Sequence, residues 1–547
     1  MPDGPLIVQS DRTVLLEVAH PQAESARHEL AVFAELERAP EHVHTYRITR
    51  LGLWNARAAG HGAEEIVETL ERYSKFAVPQ SVSLEIVETI GRYGKLVIER
   101  VGDGPLQLRS TDAAVLTEIS RAKKVAPLLT ERHEDGSFSI EPWARGQLKQ
   151  ELIKLGWPAD DLAGFTPGTP HAIELDESGW QLRGYQQQAV DEFTSHGSGV
   201  VVLPCGAGKT LVGAAAMAAV KTNTLILVTN TVSARQWRSE LLKRTSLTDD
   251  EIGEYSGLVK EVKPVTIATY QILTAKRGGV YAHLELLDAL DWGLVVYDEV
   301  HLLPAPVFKL TADLQARRRL GLTATLVRED GRESDVFSLI GPKRFDAPWK
   351  EIEAQGYIAP ANCFEVRVDL PYDERMTYAA AADDERYRLA ATAPAKLEAT
   401  RRLIEHHRGE RILVIGQYLE QLDELSRALG APQVTGATPV AERERLFEAF
   451  RQGEQTILVV SKVANFSIDL PEASVAIQVS GSFGSRQEEA QRLGRLLRPK
   501  ESRLSASFYT LVARDTVDQD FAQNRQRFLA EQGYSYEIVD AETLAIA

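Results

Sequence analysis

The chain has 547 residues, enough for roughly three to five domains. Its 62 Lys+Arg against 78 Asp+Glu leave a net charge of −16, which argues against a protein that coats DNA, RNA or anionic lipid. Two cysteines, Cys205 and Cys363, exclude a disulfide framework, a four-cysteine zinc site and an iron–sulfur cluster held by four thiolates.

Residues 1–100 alternate short apolar runs with helical patterns; in Ala63–Tyr73, Ile66, Leu70 and Tyr73 recur at helical spacing between acids. Residues 105–164 read as a small mixed unit. A helix follows the cap candidates Thr111 and Asp112, then come a strand-like Val125–Leu129, a turn at Glu134-Asp135-Gly136, a strand Ser137–Ile140 and a helix Arg145–Leu155. Phe165–Pro170 breaks all periodicity and is the best linker. Strands then alternate with helices: Val200–Leu203, Leu225–Val228, Val265–Ile267, Leu294–Tyr297 and Arg319–Leu322 form one series, and Ile412–Ile415, Thr456–Val460, Ala476–Val479 and Ser507–Leu511 a second. Continuous apolar strands of this kind belong to parallel sheets covered on both faces. Residues 346–396, rich in charge and Tyr, read as helical connecting matter. The expected division is 1–102 and 103–170 as accessory domains, 171–345 as a first lobe, 346–397 as a connector and 398–547 as a second lobe.

Charge is uneven along this plan: −9 over residues 1–180, +1 over 181–350 and −8 over 351–547. No basic segment followed by an apolar core opens the chain, and the longest strongly apolar stretch, Leu211–Val220, is about half a membrane span. A cytoplasmic protein without a membrane partner is expected.

The sharpest local signal is Leu203-Pro204-Cys205-Gly206-Ala207-Gly208-Lys209-Thr210, between an apolar strand and an alanine-rich helix. Glycines let backbone N–H groups crowd a polyphosphate, and a helix N-terminus adds partial positive charge. Lys209 would reach the terminal phosphates of ATP, and the Thr210 hydroxyl would meet Mg2+. Leu203 stands where the full pattern has its first glycine. A second buried strand ends in Asp298-Glu299-Val300-His301: Asp298 can hold the Mg2+ shell and Glu299 can deprotonate the attacking water. In the second lobe Gln491, Arg495 and Arg498 fall on one face of an expected helix, where guanidinium groups can reach a phosphate held by the other lobe.

Together Gly206–Thr210, Asp298-Glu299-Val300-His301, Thr323-Ala324-Thr325 and Gln491–Arg498 resemble a superfamily 2 helicase. Arg328-Glu329-Asp330 just past the Thr-Ala-Thr narrows the resemblance to the XPB family. So do Ile468-Asp469-Leu470-Pro471, Gly484–Ala490, the tail Arg525–Leu529 and the N-terminal Leu53–His61. The resemblance implies an α/β fold of two tandem RecA-like parallel-sheet lobes preceded by two small accessory domains. It further implies that Arg183 and Gln186 read adenine, that Pro204, Cys205, Gly206, Ala207 and Gly208 cradle ATP, and that Asp469 senses nucleotide from the second lobe. By the same resemblance Thr323 and Thr325 couple the ATP site to DNA, and Arg328, Glu329 and Asp330 assist strand separation. Residues near 105–164 are similar to the family's damage-recognition domain and those near 365–395 to its thumb. Ser467 departs from the pattern, standing where many superfamily 2 proteins have Gly.

The activity implied is ATP- and Mg2+-dependent 3′→5′ movement on DNA, single strand or duplex junction, in DNA repair, with a repair nuclease as the protein partner. Opening one base step costs about 1.4 kcal/mol, so long duplexes need a fuel. An RNA helicase, a duplex translocase with little unwinding and an ATP-gated scaffold are the competing readings. On this plan residues 1–170 form an appendage whose removal spares turnover.

Overall fold

The computed structural model describes residues 4–40, 42–102, 104–204, 206–257, 259–278, 280–304, 314–315, 317–324, 332–347, 352, 361–461, 473–481, 506–531, 534 and 536–543. Two seven-stranded sheets dominate it. The first runs, edge to edge, Ile252–Tyr255, Val265–Thr269, Thr224–Val228, Leu294–Asp298, Arg318–Thr323, Ser198–Val202 and Lys343–Asp346, with every pairing parallel. The second runs Gln433–Val434, Ile457–Ser461, Ile412–Gly416, Val475–Gln478, Ala506–Ala513, Ala361–Val368 and Tyr536–Asp540, again all parallel. Thr224–Val228 and Ile412–Gly416 are buried at every position because helices cover both faces, which is why they read as unbroken apolar runs. This is the α/β architecture of two RecA-like helicase lobes.

Three expectations are corrected. Ala361–Val368, placed in the helical connector, is a strand inside the second sheet, paired with Ala506–Ala513 on one side and Tyr536–Asp540 on the other. The second lobe therefore begins before residue 398. Helices Tyr372–Ala380 and Asp383–Ala391 follow it as an excursion from that sheet. Leu96–Arg100, assigned to the first accessory domain, pairs with Leu106–Ser110 and Ala159–Asp161, so the second unit's sheet begins upstream of residue 103. Val125–Leu129 is not a strand: Ala126–Leu128 is a 3-10 turn whose Pro127 has no N–H to give a ladder, and the strand is Leu129–Arg132.

The first accessory unit is a four-stranded antiparallel sheet with helices Ala23–Leu30, Arg50–Ala58, Ala63–Tyr73 and Gln80–Arg92 over a shared apolar core. Ala63–Tyr73 buries Ile66, Leu70 and Tyr73, the stripe its spacing announces. The second unit is a five-stranded sheet backed by Ala113–Ser120 and Ala144–Lys154; Asp112 caps the first of these by accepting from Ala114 N–H at 3.0 Å.

Neither unit hangs free. Asp161 accepts from Arg145 at 2.7 Å and from Lys149 at 2.9 Å, and Lys149 also donates to Gln315 of the first lobe at 2.8 Å. Gln150 reaches Asp335 at 3.0 Å. Asn55 accepts from the backbone of Lys343, and Ala530, on the second lobe's helix Val517–Glu531, packs into the first unit's apolar core. Among the described residues no helix is long and apolar enough to cross a membrane.

Candidate nucleotide site

The phosphate loop follows from the strand Ser198–Val202, whose four buried residues lock it between Arg318–Thr323 and Lys343–Asp346. The chain then turns through Gly206 and Gly208, both at positive φ (84° and 81°), and enters the helix Lys209–Val220. Gly208 is required twice over. Its φ suits glycine, and a Cβ there would stand 2.4 Å from Gln186 Nε2.

Gln186 is 1% exposed. Its amide nitrogen donates to Ala207 O at 2.8 Å, and its carbonyl accepts from Arg183 N–H at 2.9 Å. Tyr185 Oη also donates to Ala207 O, at 2.8 Å. The side chain expected to read adenine thus also props up the loop at Ala207, with its second amide hydrogen left over for a base. Tyr185 escaped the sequence reading because nothing in its spacing distinguishes it from a core aromatic.

Leu294–Asp298 lies two strands from the phosphate-loop strand, with Arg318–Thr323 between, and this register puts both carboxylates opposite the loop. Lys209 Nζ stands 3.1 Å from Glu299 Oε1. Glu299 holds a left-handed backbone (φ 49°), strained for a non-glycine residue and placed where the strand must turn sharply. Its Oε2 is buried without a hydrogen-bond partner. Burial alone would raise the Glu299 carboxyl; Lys209, His301 and a backbone hydrogen bond from Ala324 outweigh it and hold the group below its ordinary value. Asp298 goes the other way. Burial, then the charge of Glu299, pushes it up to about 6, against a hydrogen bond from Trp237 and the charge of Lys209.

Behind the pair, His301 Nδ1 lies 2.7 Å from Thr323 Oγ1 and 3.6 Å from Glu299 Oε2. Thr323 is fully buried and its carbonyl accepts from Leu203 N–H, so the end of one strand touches both the carboxylates and the phosphate loop. The sequence reading gave His301 no role; here it links Glu299 to Thr323. Trp237 and Tyr270 were also missed: Trp237 Nε1 donates to Asp298 Oδ2 at 2.9 Å and Tyr270 Oη donates to Asp298 O at 2.8 Å.

Arg183, Gln186, Pro204, Gly206, Ala207, Gly208, Lys209, Thr210, Asp298, Glu299 and Thr323 are among the described residues. Cys205, Thr325, Arg328, Glu329, Asp330, Asp469, Gln491, Arg495 and Arg498 lie outside them.

The donors suit Mg2+: a hydroxyl at Thr210, a carboxylate at Asp298 and the orphaned Oε2 of Glu299 for an ordered water are all hard oxygens. Among the described residues no group of three or more His, Cys, Asp or Glu forms a protein-only cage, and Mg2+ bound with a nucleotide needs one or two carboxylates plus phosphate. A pH prediction follows. Burial and the adjacent Glu299 raise Asp298, so if it meets the cation, ATPase at limiting Mg2+ should begin to fall at a higher pH than an ordinary carboxylate would give. Raising Mg2+ should move the midpoint to lower pH, since cation and proton compete for one carboxylate. A midpoint indifferent to Mg2+ concentration would remove Asp298 from the cation's shell.

Two parallel-sheet lobes, with a phosphate loop and paired carboxylates converging on the first, define a helicase-type nucleotidase. A family model described as ERCC3/RAD25/XPB C-terminal helicase matches residues 352–545, and one described as type III restriction enzyme, res subunit, matches 179–328. A third, helicase conserved C-terminal domain, matches 6–134, where the strands of the first accessory sheet are antiparallel. The chain is similar to a protein of Kineococcus radiotolerans named DNA 3′-5′ helicase XPB, at 68% identity over all of this chain and 98% of that one. It is 63% identical to one of the same name from Mycobacterium tuberculosis, over all of this chain and 99% of that one. A Saccharomyces cerevisiae protein, named general transcription and DNA repair factor IIH helicase/translocase subunit XPB/SSL2, is 32% identical over 97% of this chain and 72% of its own length. The chain belongs to the XPB family.

Proposed function

We propose that the chain is an ATP-dependent DNA helicase moving 3′→5′, which opens or remodels duplexes in DNA repair. The observation that carries this is the Lys209–Glu299 pair, 3.1 Å apart beside Asp298, in a chain that aligns end to end with proteins named for that activity. Lys209 transfers its ion pair from Glu299 to the terminal phosphates of ATP. That frees Glu299 to orient the attacking water and take its proton. Thr210 and Asp298 hold Mg2+, which when bound neutralises charge on the phosphates. Gly206, Ala207 and Gly208, with Pro204 and Cys205, cradle the phosphates, and Arg183 and Gln186 flank the base.

Asp469, Gln491, Arg495 and Arg498 act from the second lobe, the arginines on charge developing at the terminal phosphate. The His301–Thr323 contact is the first step of the coupling in which Thr325, Arg328, Glu329 and Asp330 serve the DNA side. DNA is the partner of this motor, in the cytoplasm, gripped through phosphate and so sensitive to salt; a repair nuclease is the protein partner it would serve. Steady-state ATPase with single-stranded DNA, duplex DNA and duplex RNA tests the reading: DNA should stimulate turnover at least about tenfold over RNA, since the motor draws its fuel for DNA strands. Equal turnover with and without every nucleic acid would refute it.

A further inference from the structure

Trp237 belongs to the helix Thr231–Arg244, which no nucleotide motif of the sequence reading includes. Its indole is 1% exposed and touches two parts of the site. Its N–H donates to Asp298 Oδ2 at 2.9 Å. Its six-membered ring lies against the phosphate-loop helix at Gly213, where an added Cβ would come within 2.4 Å of Trp237 Cη2. A buried indole N–H needs an acceptor, and any buried hydroxyl or carbonyl would have served. Here it takes one oxygen of the carboxylate at the mouth of the phosphate loop. That oxygen is thereby held, and with it the rotamer of the whole carboxylate. The donor is neutral, so it fixes the rotamer without cancelling the charge a cation needs. Carboxylates that hold metals are oriented by such outer partners, whose loss typically costs 10–100-fold in metal affinity.

We infer that Trp237 is a positioning residue for the metal site, fixing the rotamer in which Asp298 would meet Mg2+ and tying that carboxylate to the phosphate-loop helix. The inference rests on the nucleotide reading above. Its second half explains Gly213, since the helix can approach the indole only where no side chain intervenes.

The test is the affinity of the full chain for a fluorescent ADP analogue, measured in EDTA and across a Mg2+ titration. Trp237→Phe keeps a ring but removes the donor. Its affinity in EDTA should match wild type within about twofold, while the Mg2+ concentration for half-maximal tightening rises about tenfold or more. Benzothienylalanine at position 237, the isostere in which sulfur replaces N–H, gives the same comparison without disturbing packing, should the phenylalanine variant fail to fold. Gly213→Ala, which displaces the indole but keeps its N–H, should raise the Mg2+ requirement as well. An unchanged Mg2+ requirement in the isosteric variant would overturn the inference and leave Trp237 a core residue. A wild-type chain that binds no ADP analogue would instead overturn the nucleotide reading, so the two failures are distinct.

Discussion

Glu299→Gln should reduce ATP turnover at least about 1,000-fold, within the range by which a positioned general base accelerates proton transfer. Glutamine keeps the length and shape of the side chain and one carbonyl oxygen, so the strained turn at residue 299 and the strand before it need not move. What disappears is the charge. Two consequences separate this from a structural defect. Lys209 loses the partner 3.1 Å away that competes with phosphate, so the variant should bind ATP at least as tightly as wild type. Asp298 loses the adjacent carboxylate that raises it, so its acid transition should move to lower pH than in wild type. Equilibrium nucleotide binding at limiting Mg2+, followed across pH, reads both, and single-turnover hydrolysis reads the loss of turnover. Normal hydrolysis would remove Glu299 as the base, and lost binding would make it a scaffold of the phosphate loop.

The second large effect is on stability. Asp161 is the acceptor shared by Arg145 and Lys149, and the side chains of both cations are buried beside the first lobe. Burial lowers Lys149 to about 8, with Asp161 opposing, while Arg145 and Arg319 add to the depression. Arg319, also buried, gives its hydrogens to the carbonyls of Leu314, Gln315, Arg317 and Leu339. Cations therefore outnumber the central carboxylate, and Asp161→Asn would leave them with only the more distant charge of Asp160 in a low-dielectric interface. Breaking a buried pair from one side costs about 3–5 kcal/mol. We expect a marked fall in melting temperature and new proteolysis within Phe165–Pro170, the link between the second unit and the lobe it grips. An unchanged melting temperature would mean that water shields the cluster. The same contacts bear on removal of residues 1–170. That truncation would expose Gln315 and strip Ala530 of its packing, so we expect it to lower the melting temperature of the remaining lobes.

The lobes were legible because their strands are buried on both faces. Leu294–Asp298 and Ile412–Gly416 lie within a residue of the apolar runs that announce them. Ala361–Val368 was illegible for the opposite reason. It carries Glu365 at zero exposure, and a charged residue in a strand reads as a surface position until its partners are known. Those partners are Gln526 at 2.6 Å and Tyr536 at 2.9 Å, more than 150 positions away, with Arg367 at 3.0 Å. Lys343–Asp346 hid in the same way, as a charged edge strand beside the largely apolar Ser198–Val202.

At the site, residues with obligatory chemistry were readable: glycines at the loop, a lysine after them, two carboxylates at a strand end. The residues that aim them were not. Trp237, Tyr185 and Tyr270 look like core aromatics in sequence, and only the fold brings their N–H and O–H groups to Asp298 and Ala207. His301 was visible as a letter of a motif, and its use emerged from the 2.7 Å contact to Thr323.

ATP hydrolysis at Glu299 should drive directional movement on DNA. Strand displacement by the full chain, on duplexes bearing a 3′ tail, a 5′ tail or no tail, tests it most directly. ATP-dependent displacement is expected from the 3′-tailed duplex, little from the 5′-tailed one and none with Glu299→Gln. Displacement that favours the 5′ tail, or that proceeds equally without ATP, would contradict it.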